Sequence, residues 1–189
     1  MNERFPRVGV IGAGQLARMM VAPATALGID LLLFAQSPDD SGAQITHHIV
    51  GDYADLEALK VFASNCDVIT FEHELVPLSV IKGLEATGVK VYPPSSAFIY
   101  SQDKAEMRKK LSAYPSPKWK IATSTAEIER YPLIAKAISG GYDGRGVWKI
   151  NSQDELAEVF KTTPQLLIEE LISKANTHTS VLSKPKSKT

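Results

Sequence analysis

A chain of 189 residues is long enough for one domain and part of a second, and its 44% hydrophobic content supports a packed core rather than a disordered coil. Twenty-one basic side chains balance 21 acidic ones, which removes the electrostatic case for a nucleic-acid partner. Cys66 is the sole cysteine, so an internal disulfide is excluded, and the absence of a leader-like or membrane-length apolar run reads as a cytoplasmic protein with no membrane partner.

In chain order, residues 8–11 predict a short buried strand, and residues 15–27 a helix with Leu16, Met19, Met20 and Ala24 on one apolar face. Gly28 suits the helix end because glycine accepts the left-handed turn found there. Residues 31–34 predict a second buried strand, 56–63 a helix and 68–71 a third strand; Pro77 opens a helix closed by Gly88, and 89–92 is a further strand. Strands alternating with helices imply an α/β fold with a parallel, Rossmann-like sheet covered on both faces. After Pro93-Pro94, residues 95–112 predict helix, and Tyr114-Pro115-Ser116-Pro117 breaks the chain. A second, smaller α/β unit follows, with strands at 119–122, 133–137, 147–150 and 166–169 and two helices between them. Ser124 with Glu127, and Ser152 with Glu155, have the spacing of capping boxes. The expected organisation is a domain over 1–95, a helical linker over 96–117, a second unit over 118–172 and a tail over 173–189. The tail carries four lysines and no acid, a disordered composition that leaves 17 basic and 21 acidic residues elsewhere.

Three segments point to chemistry. Gly12-Ala13-Gly14-Gln15-Leu16-Ala17 matches G-x-G-x-x-A between a strand and a helix, where glycines let the backbone approach a ligand and free amides attract an anion. A dinucleotide site also wants an acid at the end of the second strand, and Ala35-Gln36-Ser37 stands there, with Asp39 and Asp40 only beyond Pro38. The loop therefore reads as binding another phosphate or a substrate edge, as a turn needed for packing alone, or as a nicotinamide-cofactor site. Ser139 to Gly146 holds Gly140, Gly141, Gly144 and Gly146, more glycine than a hairpin needs, as expected of a flap whose amides close over phosphates. Arg145 adds a charge-assisted donor, and Lys136, framed by Ala135 and Ala137, calls for an anion partner. A solvent-facing lysine beside an ordinary loop is the alternative. Thr70-Phe71-Glu72-His73-Glu74 ends a buried strand where open α/β sheets bind ligands; in extended chain Glu72 and Glu74 would share a face, the alternative being a solvated loop. Adjacent His47 and His48 point apart and do not suit a shared metal, and Cys66 reads as a packed thiol.

Gly12 to Met20, Thr70 to Glu74, Gln102-Asp103-Lys104 and Gly140 to Gly146 occur in an order and spacing that resemble the N5-carboxyaminoimidazole ribonucleotide synthetases, a family of ATP-grasp ligases in purine biosynthesis. The resemblance covers residues 7 to about 172. It implies a preATP-grasp domain that holds aminoimidazole ribonucleotide, then the small ATP-grasp lid, then a larger ATP-grasp half, with ATP between lid and larger half. It implies nucleotide contacts for Lys104, Lys136, Gly140, Gly141, Gly144 and the run Glu169-Glu170-Leu171-Ile172. Gly14, Gln15, Leu16, Glu72, Glu74 and Tyr142 are implied to contact the substrate, and Asp143 and Arg145 to serve catalysis. The implied reaction is attack of bicarbonate on the γ-phosphate of ATP to give carboxyphosphate, whose carbon the 5-amino group of aminoimidazole ribonucleotide captures. Mg²⁺ is implied as cofactor and a homodimer as the assembly.

The sequence departs from that pattern after Ile172, where no acid follows Glu170. The family's magnesium carboxylates are expected beyond this point, so the chain reads as C-terminally truncated, without a metal site and inactive alone. Two other readings are an NAD(P)-dependent oxidoreductase built on the first unit and a non-catalytic ligand-binding remnant.

Overall fold

Alternating side chains decide the first sheet. In β1 (Arg7–Ile11), Ile11 points to one face and Val10 to the other; in β2 (Asp30–Ala35), Leu32 and Phe34 join Ile11 while Leu31, Leu33 and Ala35 join Val10. Burial on both faces is what a parallel sheet under helices requires. The computed structural model describes residues 5–141 and 145–172, which fall into two units divided between Asp103 and Lys104.

The first unit continues with α1 (Gln15–Ala26) between β1 and β2, then β3 (His48–Val50), α2 (Leu56–Ala63), β4 (Val68–Phe71), α3 (Leu78–Glu85) and α4 (Ser95–Gln102). All paired strands are parallel, in the order β3-β2-β1-β4. α1 covers one face through Ala17 and Ala24. α2, α3 and α4 cover the other through Leu59, Phe62, Ile81, Leu84 and Phe98. Asp55 caps α2, its carboxylate accepting from the amides of Glu57 and Ala58. The strand expected over 89–92 is reduced to one bridge, Ile69 with Val91, because Pro93 and Pro94 have no amide hydrogen to extend the ladder. β3 was not legible in advance: it is three residues long and leaves Ile49 and Val50 exposed.

The second unit comprises α5 (Lys104–Lys110), β5 (Trp119–Ala122), a 3₁₀ turn (Thr125–Glu127), β6 (Leu133–Ala137), β7 (Val147–Ile150), α6 (Gln153–Thr162) and β8 (Leu166–Glu170). Its sheet is antiparallel in the order β5-β8-β6-β7. Leu133, Ala135, Ile150, Leu166 and Ile168 line one face and pack on Leu156 of α6. The single helix expected over 95–112 is interrupted at Asp103, whose φ of −121° and ψ of 106° are extended. The first of the two helices expected between the strands is only the 3₁₀ turn, and it carries the Ser124–Glu127 box complete. At α6 the second box is half formed. The Ser152 hydroxyl accepts from the Glu155 amide, but the Glu155 carboxylate accepts from the amide of Asn151 rather than that of Ser152. Among the described residues no helix is long and apolar enough to cross a membrane.

Candidate functional site

In the first unit, β1 connects to β2 on one side and pairs with β4 on the other. That arrangement puts the switch in strand order at the carboxyl ends of β1 and β4, the place where open α/β sheets hold ligands. The Gly12–Gly14 loop and residues 72–74 meet there. The Glu72 amide donates to Ile11 O at 3.0 Å, carrying the strand pairing one step past β4. The Glu72 carboxylate then turns onto the start of α1. Oε2 accepts from the Gly14 amide at 2.6 Å, and Oε1 accepts from Leu16 at 3.0 Å and Ala17 at 3.3 Å. α1 needs this help, since Gly14 offers no side-chain cap and the first turn holds no acid.

The glycines are explained by the same contact. A Cβ on Gly12, where φ is +115°, or on Gly14 would lie 2.7 Å from Glu72 atoms. The close approach expected of this loop is therefore made by the protein's own carboxylate. An anion already occupies the amides on which a dinucleotide would set its pyrophosphate. The second dinucleotide requirement fails as well: β2 ends at Ala35, and Asp40 Oδ2 accepts from the amides of Gln36 and Ser37. The geometry argues against a nicotinamide-dependent oxidoreductase.

Residues 36–44 fold against the glycine loop. The Gly42 amide donates to Ala13 O at 2.7 Å, Ser41 Oγ donates to Gln15 Oε1 at 3.0 Å, and Arg18 Nη1 donates to Ser41 O at 2.9 Å. Leu16 remains exposed. The chain leaves the strand at Phe71 and bends over 72–74, so Glu72 and Glu74 do not follow the alternation that would set both carboxylates on one extended face. The Glu74 carbonyl accepts from Gln102 Nε2 at 2.6 Å. Next to Glu72, the His73 ring packs against that of Tyr53 at a tilt of 59° with centroids 4.8 Å apart, and His73 Nδ1 accepts from the Leu75 amide. Burial, with the Asp40 and Glu72 carboxylates nearby, pushes the Tyr53 hydroxyl up to about 12. His48 Nδ1 lies 3.3 Å from Thr46 O at the start of β3.

In the second unit Lys136, Glu169 and Arg108 meet on the sheet face opposite α6. Antiparallel register places Ile134 opposite Glu169 and Lys136 opposite Leu167, so Lys136 and Glu169 are diagonal neighbours on one face. Glu169 is a buried acid with 4% of its side chain exposed. Its Oε2 accepts from Lys136 Nζ at 2.6 Å, and its Oε1 accepts from Arg108 Nε at 2.6 Å with Nη2 also at 2.6 Å. The anion that Lys136 calls for is thus internal in this state. Lys104 stands one helical turn before Arg108; its amide donates to Ile138 O at 2.9 Å and its ammonium to Gly141 O at 3.4 Å. Two cations thus meet on one carboxylate, and a third reaches the glycine segment at Gly141.

The described ends of the glycine segment lie against each other. The Ala137 amide donates to Gly146 O at 2.8 Å, Gly140 and Gly146 have φ of +74° and +71°, and a Cβ on Gly141 would lie 2.5 Å from Arg145 O. Tyr142, Asp143 and Gly144 lie outside the described residues. Glu170 faces outward, its Oε1 accepting from the Lys118 amide at 2.8 Å, and Leu171 and Ile172 are exposed. Arg108 escaped the sequence reading. Its position four residues after Lys104 on a helix was the available signal.

A parallel unit followed by an antiparallel sheet, with a glycine-rich connection between β6 and β7, has the design of the ATP-grasp ligases rather than of dinucleotide enzymes. The chain belongs to the ribonucleotide synthetase preATP-grasp domain family, whose sequence model matches residues 5–102. It is 42% identical over 151 residues to the N5-carboxyaminoimidazole ribonucleotide synthase of Mycobacterium tuberculosis (strain ATCC 25618 / H37Rv), an alignment covering 75% of this chain and 35% of that protein. The solved N5-carboxyaminoimidazole synthetase of Staphylococcus aureus complexed with ADP superposes with a TM-score of 0.78 at 28% identity, covering 89% of this chain and 48% of that one. The Aspergillus clavatus enzyme, solved with ADP and 5-aminoimidazole ribonucleotide, gives a TM-score of 0.73 at 28% identity, covering 90% and 48%. The chain spans 35–45% of the length of the curated relatives it matches.

Proposed function

We propose that this chain carries the substrate-holding and nucleotide-lid parts of an ATP-dependent carboxylation, in which bicarbonate and 5-aminoimidazole ribonucleotide give N5-carboxyaminoimidazole ribonucleotide. The observation that carries the reading is the second unit's cationic face, where Arg108 and Lys136 hold one buried acid, Glu169, and Lys104 reaches the glycine segment at Gly141. Relatives of the same design were solved with adenine nucleotides.

In the first unit, Gly14, Gln15 and Leu16 with Glu72 and Glu74 form the substrate edge, Glu72 holding the glycine loop in shape while it meets the ligand. In the second, Lys104, Lys136 and the amides of Gly140, Gly141 and Gly144 neutralise nucleotide phosphates, and Glu169 to Ile172 border the adenine. Tyr142 contacts the substrate, while Asp143 and Arg145 steady the carboxyphosphate. Charge neutralisation by fixed cations and amides is the main contribution a protein makes to phosphoryl transfer. Mg²⁺ comes with ATP in this reading. Among the described residues no three His, Cys, Asp or Glu side chains converge on a metal, and none of these steps runs through one. The assembly is a homodimer in the cytoplasm.

Calorimetric titration with ATP and with NADH tests the reading. Binding of ATP with no response to NADH is the expected result. Tight NADH binding with no ATP response would overturn it.

A further inference from the structure

While Lys136 Nζ sits 2.6 Å from Glu169 Oε2, its charge is largely neutralised by that carboxylate rather than offered to a phosphate, and Glu169 is too buried to be left alone. We infer that Arg108 is a positioning residue that resolves this conflict: it keeps Glu169 neutralised while Lys136 turns to a nucleotide phosphate. The inference rests on the nucleotide-binding reading above.

The two cations divide the carboxylate between them. Arg108 places both Nε and Nη2 on Oε1, and Lys136 alone takes Oε2. Removing Lys136 from Oε2 therefore breaks none of the Arg108 bonds. The partners also differ in mobility. Arg108 is a planar fork held by two bonds and 16% exposed, whereas Lys136 is a single-point ammonium on a four-carbon stem and 23% exposed. Lys136 is the partner that can leave, and Arg108 the one that can hold. Stranding a buried carboxylate is among the costlier events in a protein interior. Without Arg108, the departure of Lys136 would strand Glu169, and the lysine would stay where it is. Arg108 touches no nucleotide in this scheme; it acts through Glu169.

The test is an ATP titration of the full chain in five forms: the parent, Arg108→Met, Arg108→Lys, Glu169→Gln, and the double variant Arg108→Met/Glu169→Gln. Losing the ready release of Lys136 should weaken ATP binding by roughly tenfold in Arg108→Met, the equivalent of one charge-assisted hydrogen bond. The double variant should bind ATP within about threefold of Glu169→Gln alone, because a neutral amide in place of the Glu169 carboxylate no longer detains Lys136 and the cost of losing Arg108 disappears in that background. Arg108→Lys should fall between. Far-UV circular dichroism and urea melts establish that each form is folded. A purely structural arginine would not be rescued by removing its partner. An arginine that contacts phosphate directly would weaken the double variant against Glu169→Gln as much as Arg108→Met is weakened against the parent, and either result overturns the inference. Unchanged affinity in Arg108→Met overturns it as well while leaving nucleotide binding intact. A parent that binds no ATP overturns the nucleotide reading, and the handover falls with it.

Discussion

Replacing Glu72 with alanine removes the counter-charge from the amino end of α1 and should cost the first unit dearly for a partly exposed side chain. The carboxylate holds two amides at 2.6 and 3.0 Å and a third, more weakly, at 3.3 Å. Charge-assisted bonds contribute about 1.5–3 kcal/mol each when well made, and losing an ordinary helix cap costs about 1 kcal/mol. Partial exposure lets water replace some of the loss, so Glu72→Ala should destabilise the unit by about 2–3 kcal/mol. For a unit of this size that is a fall in Tm of roughly 10–15 °C. Glu72→Gln keeps an acceptor but not the charge, and should lose about half as much. Urea unfolding followed by far-UV circular dichroism measures the cost, and amide exchange at Gly14, Leu16 and Ala17 localises it. An alanine variant within about 0.5 kcal/mol of the parent would refute the capping role, since that is the range of an indifferent surface change.

The other predictions follow from neighbouring contacts. Gly14 has a φ of −80° that any residue tolerates, but its Cβ would sit 2.7 Å from Glu72 Oε1. Gly14→Ala should therefore cost about 1–2 kcal/mol by displacing the cap, and most of that cost should vanish in a Glu72→Ala background on a double-mutant cycle. Gly9→Ala drives a methyl to 2.6 Å from both Cys66 Sγ and Ile69 Cδ1, and should lower stability by about 1–3 kcal/mol in urea melts. Tyr53 stays protonated in the folded state up to about 12, above its ordinary value near 10. Its contribution is complete below pH about 10 and drains away as pH rises toward about 12, because there the unfolded chain ionises first. Tyr53→Phe should remove that part of the alkaline loss in melts across this window. Lys136→Ala should be tolerated at about 1–2 kcal/mol because Arg108 still pairs with Glu169, while the double variant Lys136→Ala/Arg108→Ala should lose about 3–5 kcal/mol. A double variant as stable as the single one would show that Glu169 finds relief elsewhere.

Periodicity and punctuation made most of the fold legible. The two buried faces of β1 and β2 follow from continuous apolar runs, and Gly28, with φ of +67°, ends α1 where the glycine stands in the sequence. Short or half-solvated elements were not legible. β3 carries too few residues for a pattern, and the chain over 89–92 has strand composition but contributes one bridge before two prolines stop it. The site was legible as residue types and not as partnerships. That Lys136 calls for an anion could be argued from its apolar neighbours. That the anion is Glu169, 33 residues away, depends on a register that single-strand patterns do not carry. Glu72 was read as facing a ligand, but its hold on the amides of α1 spans 55–58 residues and could not be seen before the strands were paired. For Arg108 the helical spacing from Lys104 was in the sequence, but its pairing with Glu169, 61 residues away, was not.

The order of the second sheet has a consequence for synthesis. β8 is the last described strand in the chain, yet it lies between β5 and β6 and pairs with both. A nascent chain that has reached Ile150 can already form the local β6–β7 pairing, but β5 must wait with an unpaired edge until Leu166–Glu170 has been made. The central strand is also the one that brings Glu169 to Lys136 and Arg108. The sheet and its charge cluster are thus completed in a single late step, through contacts of long sequence separation that form slowly. Until that step the emerging second unit presents an open strand edge to its surroundings. The first unit, whose β1 and β2 are neighbours in both sequence and space, can be folded by then.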